Sequence, residues 1–139
     1  MKKSFVALGA FLGMVFVMMG AVSDHIVHAE VDAHMFRIFN IALHFEIYHA
    51  IALVLIGLSA AHLKPSRWLS AAGWLMFIGI LMFSGSIYLI VLTGIQSFAI
   101  ITPFGGSSLI LSWLLFLIAV LKSPAKSCTN LTRKDIDYE

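Results

Sequence analysis

Residues 68–93 read WLSAAGWLMFIGILMFSGSIYLIVLT, a run of 26 residues without a charged side chain. As an α-helix this run is about 39 Å long, enough to cross about 30 Å of hydrocarbon with some tilt. Lipid offers backbone groups no water to bond with, so a helix is the expected spanning form, and the alternating ten-residue segments of a membrane β-barrel are missing from the sequence. The run therefore predicts a transmembrane helix.

The composition of the whole chain agrees with this prediction. The 139 residues are 60% hydrophobic and 12% charged, whereas a soluble domain has about 25% charged residues. The length suits one domain, and the lipid bilayer is its expected solvent. The net charge is +2, but the basic residues sit at segment ends and form no nucleic-acid-binding face. A single cysteine, Cys128, excludes an internal disulfide and a CxxC metal site.

Three further apolar segments accompany residues 68–93. Pro65 breaks the chain before this helix, and Pro103 suits the first turn of the next one. Residues 123–139 form a predicted polar cytoplasmic tail that lacks the apolar content to pack. We therefore predict an all-α fold, a bundle of four transmembrane helices in a domain of residues 1–122, with helices at about 4–22, 39–61, 68–93 and 103–121.

The N-terminal segment has two interpretations. Lys2 and Lys3, followed by an apolar run that ends in small residues at 21–23, resemble a secretory signal with a cleavage site. The uncharged run from Ser4 to Ser23 is 20 residues long, longer than a usual signal core and long enough to span a bilayer. We expect the first helix to be retained.

The distribution of lysine and arginine predicts the orientation of the helices. With the N-terminus inside, the outer side receives Arg37 alone, and cytoplasmic loops are the ones that carry an excess of basic residues. Both termini are therefore expected to be cytoplasmic, in a multi-pass protein of the inner (plasma) membrane. The basic residues assigned to the inner side are Lys2, Lys3, Lys64, Arg67, Lys122, Lys126, Arg133 and Lys134.

Small residues mark the predicted contacts between helices, since association in lipid depends on close packing and buried polar contacts. Gly9 and Gly13 form a GxxxG pair in the first helix. We expect this pair to pack within the monomer, with a homodimer seam as the alternative. The remaining predicted contact residues lie in the third and fourth helices and are Gly79, Ser84, Gly85, Ser86, Gly105 and Gly106.

Histidines and carboxylates cluster between residues 24 and 49. Glu46 and His49 share a helix face, but they form one Glu-x-x-His unit, whereas di-iron bundles use two units and further glutamates. His25 and His49 lie at neighbouring helix ends, where a haem would need opposed ligands. The expected interpretation is a solvated outer loop without a cofactor. A transition-metal or haem site at His25, Glu46 and His49, or a proton-coupling role, is the alternative.

Five segments carry a family resemblance: residues 72–89, 92–94, 101–106 and 112–114 in and around the third and fourth helices, and residues 48–53, which read YHAIAL. Together they resemble the bacterial membrane family named domain of unknown function 423. The segment at 20–25, GAVSDH, departs from the family's Gly-Ala-aromatic-Gly-Ala-His pattern, although its histidine is kept.

The resemblance covers about residues 9–121 and implies the fold and the membrane location, but the family's role is not established. The sequence contains no nucleophile–base pair, phosphate-binding loop or His-Glu-x-x-His motif, and outside the outer cluster no charge lines an ion path. We therefore expect a non-enzymatic membrane protein that acts through association, as a homo-oligomer or an accessory subunit of a larger membrane complex. A metal- or haem-binding protein and a small permease or channel subunit are the alternatives.

Overall fold

The computed structural model describes residues 2–63 and 66–122 and contains four long helices in this part of the chain. They are α1 (Lys2–Val22), α2 (Ala33–His62), α3 (Arg67–Thr93) and α4 (Thr102–Lys122). All four spans are long and apolar enough to cross a membrane, so the predicted all-α bundle of four transmembrane helices is confirmed. The predicted break at Pro65 and the predicted tail at 123–139 lie outside the described residues.

Helix α2 begins at Ala33, six residues earlier than the sequence predicted, because Asp32 caps it. The Asp32 carboxylate accepts hydrogen bonds from the backbone N–H groups of His34, at 2.8 Å, and Met35, at 3.0 Å. Such a cap satisfies donors that have no partner inside the helix. The longer helix places Glu46 near its middle.

The cap at Asp32 is expected to respond to pH. The N–H of Met35, and then that of His34, lowers the pKa of the Asp32 carboxyl below its ordinary value of 3.8. The stabilisation is therefore present above that ordinary value and is lost as the pH falls through the lowered folded-state pKa. At neutral pH, Asp32→Ala should speed hydrogen exchange at the His34 and Met35 amides, and Asp24→Ala, at an exposed carboxyl, serves as the control. Unchanged exchange in Asp32→Ala would contradict the cap.

The connections between α1 and α2 and between α3 and α4, at the same end of the bundle, are also helical. After α1, a π-helical turn at Ser23–Val27 and a short helix at His28–Glu30 lead to α2. Helix α3 ends at Thr93 and is followed by Gly94, whose φ of 74° lies in the left-handed region that favours glycine. A 3-10 helix at Gln96–Ile100 follows, and α4 then starts one residue before Pro103.

The helices pack in chain order, α1 on α2, α2 on α3 and α3 on α4. Phe5 of α1 also reaches α3, where its ring covers Gly73 and meets Trp74 edge-on at a centroid distance of 5.7 Å. Two hydrophobic clusters fill the interior. One includes Phe5, Leu53, Ile56, Leu69 and Met76, and the other includes Phe39, Leu43, Ile87 and Val91.

Three glycines allow neighbouring helices to approach closely. A Cβ atom at Gly9 would lie 2.7 Å from the carbonyl oxygen of Ala50 in α2, and one at Gly79 would lie 2.8 Å from the Leu109 side chain in α4. At Gly105 the obstacle is backbone, since a Cβ atom would lie 2.8 Å from the Cα atom of Phe83. At Gly9 and Gly105 the obstacle includes backbone, so a side chain there requires movement of a helix, whereas at Gly79 the Leu109 side chain would have to move.

The other predicted packing glycines have more space. A Cβ atom at Gly13 or Gly85 would meet nothing within 4 Å, and one at Gly106 would make ordinary contact with the Phe83 ring at 3.7 Å. The GxxxG pair is therefore not one continuous seam inside the chain, because Gly9 lies against α2 and Gly13 does not.

Hydroxyl groups join α3 to both of its neighbours. Bonds of this kind between membrane helices contribute on average about 0.6 kcal/mol each. The Ser84 hydroxyl donates to the Ala42 carbonyl at 2.9 Å, that of Ser108 to Leu75 at 2.9 Å, and that of Ser112 to Ala72 at 2.7 Å, while the hydroxyls of Ser86 and Thr102 lie 2.8 Å apart.

Candidate functional site

A carboxyl group is buried between α2 and α3. Glu46 is 2% exposed, and the Tyr88 hydroxyl donates a hydrogen bond of 2.6 Å to its Oε2 atom. One helical turn away from each partner, Ser84 of α3 donates to the carbonyl of Ala42 in α2. The Tyr88 hydroxyl therefore positions the Glu46 side chain, and the bond from Ser84 to Ala42 joins the two helices one turn away.

No lysine, arginine or histidine in the described part of the chain forms an ion pair with Glu46. Burial of a carboxylate without a cation costs several kcal/mol or more, as an order of magnitude. Ionisable groups within membrane spans are rare for this reason and are functional-site hypotheses by default. Glu46 is therefore the leading candidate for a functional residue.

Glu46 lies in the first half of α2 but close to its middle. Along α2, Glu46 lies about 20 Å from Ala33 and about 24 Å from His62. On α3, its hydrogen-bond partner Tyr88 is followed by a further turn of helix before Gly94. The carboxyl group, buried and close to the middle of α2, cannot extend to the interface in the way that long side chains near helix ends do.

A cavity of about 110 Å³ adjoins the carboxyl group. Phe11, 52% exposed, and Leu81, 49% exposed, stand at its rim, so the cavity reaches the outer surface of the bundle between α1 and α3. Apart from Glu46, Ser84 and Tyr88, its wall is apolar. The full lining is Phe11, Leu12 and Val15 of α1, Glu46 of α2, and Ile80, Leu81, Ser84, Gly85 and Tyr88 of α3.

The three residues predicted for a metal or haem site are not brought together. His49 is half-buried, its Nδ1–H donates to the carbonyl of Phe45 at 2.7 Å, and its ring lies edge-on to Trp113 of α4. His25 is exposed, and because Gly9 packs on Ala50, His25 lies about 20 Å from His49 along the helices.

Among the described residues, no group of three or more His, Cys, Asp or Glu side chains is placed to hold a metal ion. The side chain of His28, part of the predicted cluster, lies outside the described residues. The site that the structure presents is the carboxyl–hydroxyl pair of Glu46 and Tyr88, and Tyr88 was not among the site residues predicted from the sequence. A signal was available, because Ser84 and Tyr88 are four residues apart, like Ala42 and Glu46, and each pair therefore shares a helix face.

Comparison with known proteins supports the family resemblance found in the motifs. The family model described as Protein of unknown function (DUF423) matches residues 19–106. No solved structure matches the chain.

Several relatives are similar over nearly their whole length. A UPF0382 membrane protein of Staphylococcus aureus is 37% identical over 124 residues, which cover 86% of this chain and 97% of the relative. The UPF0382 membrane protein YwdK of Bacillus subtilis is 33% identical over 120 residues, covering 86% of this chain and 98% of YwdK. These relatives are named membrane proteins, in agreement with the four apolar helices. The chain belongs to the family of membrane proteins described as Protein of unknown function (DUF423).

Proposed function

We propose that this protein is a non-enzymatic component of the inner membrane that acts by association with membrane proteins, as a homo-oligomer or as an accessory subunit. The uneven burial of its helices supports the proposal. In the apolar part of each span, 17% of the first and 22% of the fourth is buried, compared with 44% of the second and 50% of the third. Helices α1 and α4 thus offer broad apolar faces for a neighbouring protein in the membrane.

A groove between α1 and α2 is the proposed contact. It has a volume of about 350 Å³, and small side chains at its floor let another helix approach the backbones closely, as is typical of helix contacts in lipid. The residues of the groove are Lys3, Val6, Ala7, Ala10, Gly57, Leu58 and Ala61.

Purification in a mild detergent tests the association. The full-length protein is expected to elute above the monomer mass or together with another membrane protein. Ala10→Leu, which fills the groove, should shift the protein towards the monomer, while Gly13→Leu, at an open position of α1 outside the groove, should not. A wild-type protein that is monomeric and without a co-purifying protein would refute the proposal.

We further propose that both termini face the cytoplasm. Basic residues support this orientation, since Lys3, Arg67 and Lys122 belong to the helix ends of one side, where the Lys122 ammonium lies 5.5 Å above the Trp68 ring. Arg37 belongs to the opposite side. A reporter enzyme fused to the C-terminus should be active only if it is a cytoplasmic type, and activity of a periplasmic reporter would reverse the assignment.

A further inference from the structure

The cavity beside Glu46 is separate from the groove between α1 and α2, and the proposed association does not require it. It combines a buried carboxyl group with an otherwise apolar wall, in the interior of three packed helices. Its other two polar groups already have partners, because Ser84 donates to Ala42 and Tyr88 donates to Glu46. The Glu46 carboxyl group is therefore the acidic group that the cavity offers to a ligand.

The chemistry that matches this cavity is a positive charge on an apolar body. A cation would balance the charge of Glu46, and the apolar wall would cover the remainder of the ligand. Phe11 at the rim adds an aromatic ring, a group that attracts organic cations by its face. The volume of about 110 Å³ is smaller than an apolar cavity of about 150 Å³ that binds benzene, so part of a ligand of that size would remain at the opening between α1 and α3.

We propose that this cavity is a membrane-facing binding site for a small organic ammonium ion, with Glu46 as its counter-ion and Tyr88 as the hydrogen-bond donor that positions the carboxylate. The cavity opens between α1 and α3, beside Phe11, Leu81 and Gly85. A lipid headgroup is not the source of the ammonium group, because headgroups lie at the membrane surface and Glu46 lies near the middle of a 30-residue helix.

A proton and the ammonium ion compete for the same carboxylate. On the elements around Glu46, Tyr88 of α3 contacts the carboxyl group, and His49 lies one turn along α2 with its Nδ1–H bonded to Phe45. The other titratable side chains of α2 and α3 are exposed, and they are His34, Arg37, His44, Tyr48, His62 and Arg67. Residues 4–23 of the first span and 103–121 of α4 contain no titratable side chain. The affinity for the ammonium ion should therefore fall when the pH is lowered, since protonation removes the counter-charge.

Equilibrium dialysis of the full-length protein in lipid nanodiscs tests the site, with benzylammonium as the probe and benzyl alcohol as its uncharged counterpart. The wild-type protein should bind benzylammonium saturably and at least tenfold more tightly than the alcohol. Glu46→Gln, which keeps an acceptor for Tyr88, should remove this preference. Glu30→Gln, at an exposed carboxyl outside the cavity, should leave it intact. Equal binding of the two probes by the wild type, or a preference that survives Glu46→Gln, would overturn the proposal.

A second pair of variants tests the cavity without altering the charge. Gly85 lines the cavity and has open space beside it, so Gly85→Leu should keep the fold and lower benzylammonium affinity at least tenfold. Gly13→Leu, at an equally open position that does not line the cavity, is the matched control. If Glu46→Gln fails to fold, this pair decides the question, and equal affinities of the two leucine variants would refute the site. The outcome is independent of the oligomeric state, which the detergent experiment measures.

Discussion

Gly105→Ala is expected to lower the free energy of unfolding by about 3 kcal/mol, at the upper end of what overpacking a well-packed interior costs. The added Cβ atom would lie 2.8 Å from the Cα atom of Phe83 and 2.9 Å from the carbonyl carbon of Met82. Both obstacles are backbone of α3, so no side chain can rotate away. The α3–α4 contact would have to open, with strain on the hydrogen bonds from Ser108 and Ser112 that cross it.

Gly106→Ala is the matched control for this prediction, because it adds the same methyl group to the next residue of the same helix. Its Cβ atom would make ordinary contact with the Phe83 ring at 3.7 Å, and alanine is the better helix former by about 1 kcal/mol. We expect a change of at most about that size, with stabilisation favoured. Unfolding by dodecyl sulfate in mixed micelles, followed by circular dichroism, measures both variants. Similar losses in the two would contradict the close approach of α3 and α4 at Gly105.

The membrane fold could be predicted from the sequence because it depends on hydropathy averaged over long segments. A 26-residue uncharged run such as 68–93 predicts a spanning helix whatever its detailed packing. Single residues set the helix ends, and here prediction was uneven. Pro103 marked the start of α4 to within one residue, whereas the cap at Asp32, inside a polar stretch, was missed and α2 was predicted too short.

That error at Asp32 carried over to the candidate site. With a helix predicted from residue 39, Glu46 lay near the interface, and its charge was assigned to a solvated cluster with His25 and His49. The contact with Tyr88 depends on how α2 and α3 are rotated about their axes, and uniformly apolar helices give little periodic signal from which to derive this rotation. For the same reason Gly9 and Gly13 could not be told apart, although only Gly9 lies against another helix.

Tyr88→Phe is expected to lower the free energy of unfolding by about 1–3 kcal/mol, because it leaves a buried carboxyl group without its hydrogen-bond donor. The cavity formed is small, since only the hydroxyl group is lost. The same dodecyl sulfate titration measures this variant. Tyr48→Phe is the matched control, since Tyr48 lies on α2 with its side chain exposed, and it should leave the unfolding free energy nearly unchanged. Equal effects of the two tyrosine substitutions would refute a stabilising contact at Tyr88.

Removal of the Glu46 carboxyl group should restore the unfolding free energy that Tyr88→Phe loses. Leucine is uncharged and only one non-hydrogen atom smaller than glutamate. Glu46→Leu combined with Tyr88→Phe should therefore be more stable than Tyr88→Phe alone, because replacing both partners by apolar groups is often neutral or stabilising. Losses that merely add in the double variant would show that the two residues are not coupled. A double variant that is more stable than the wild-type protein would mean that the Glu46–Tyr88 pair lowers the stability of the fold, which is expected for a membrane-embedded acid that serves binding.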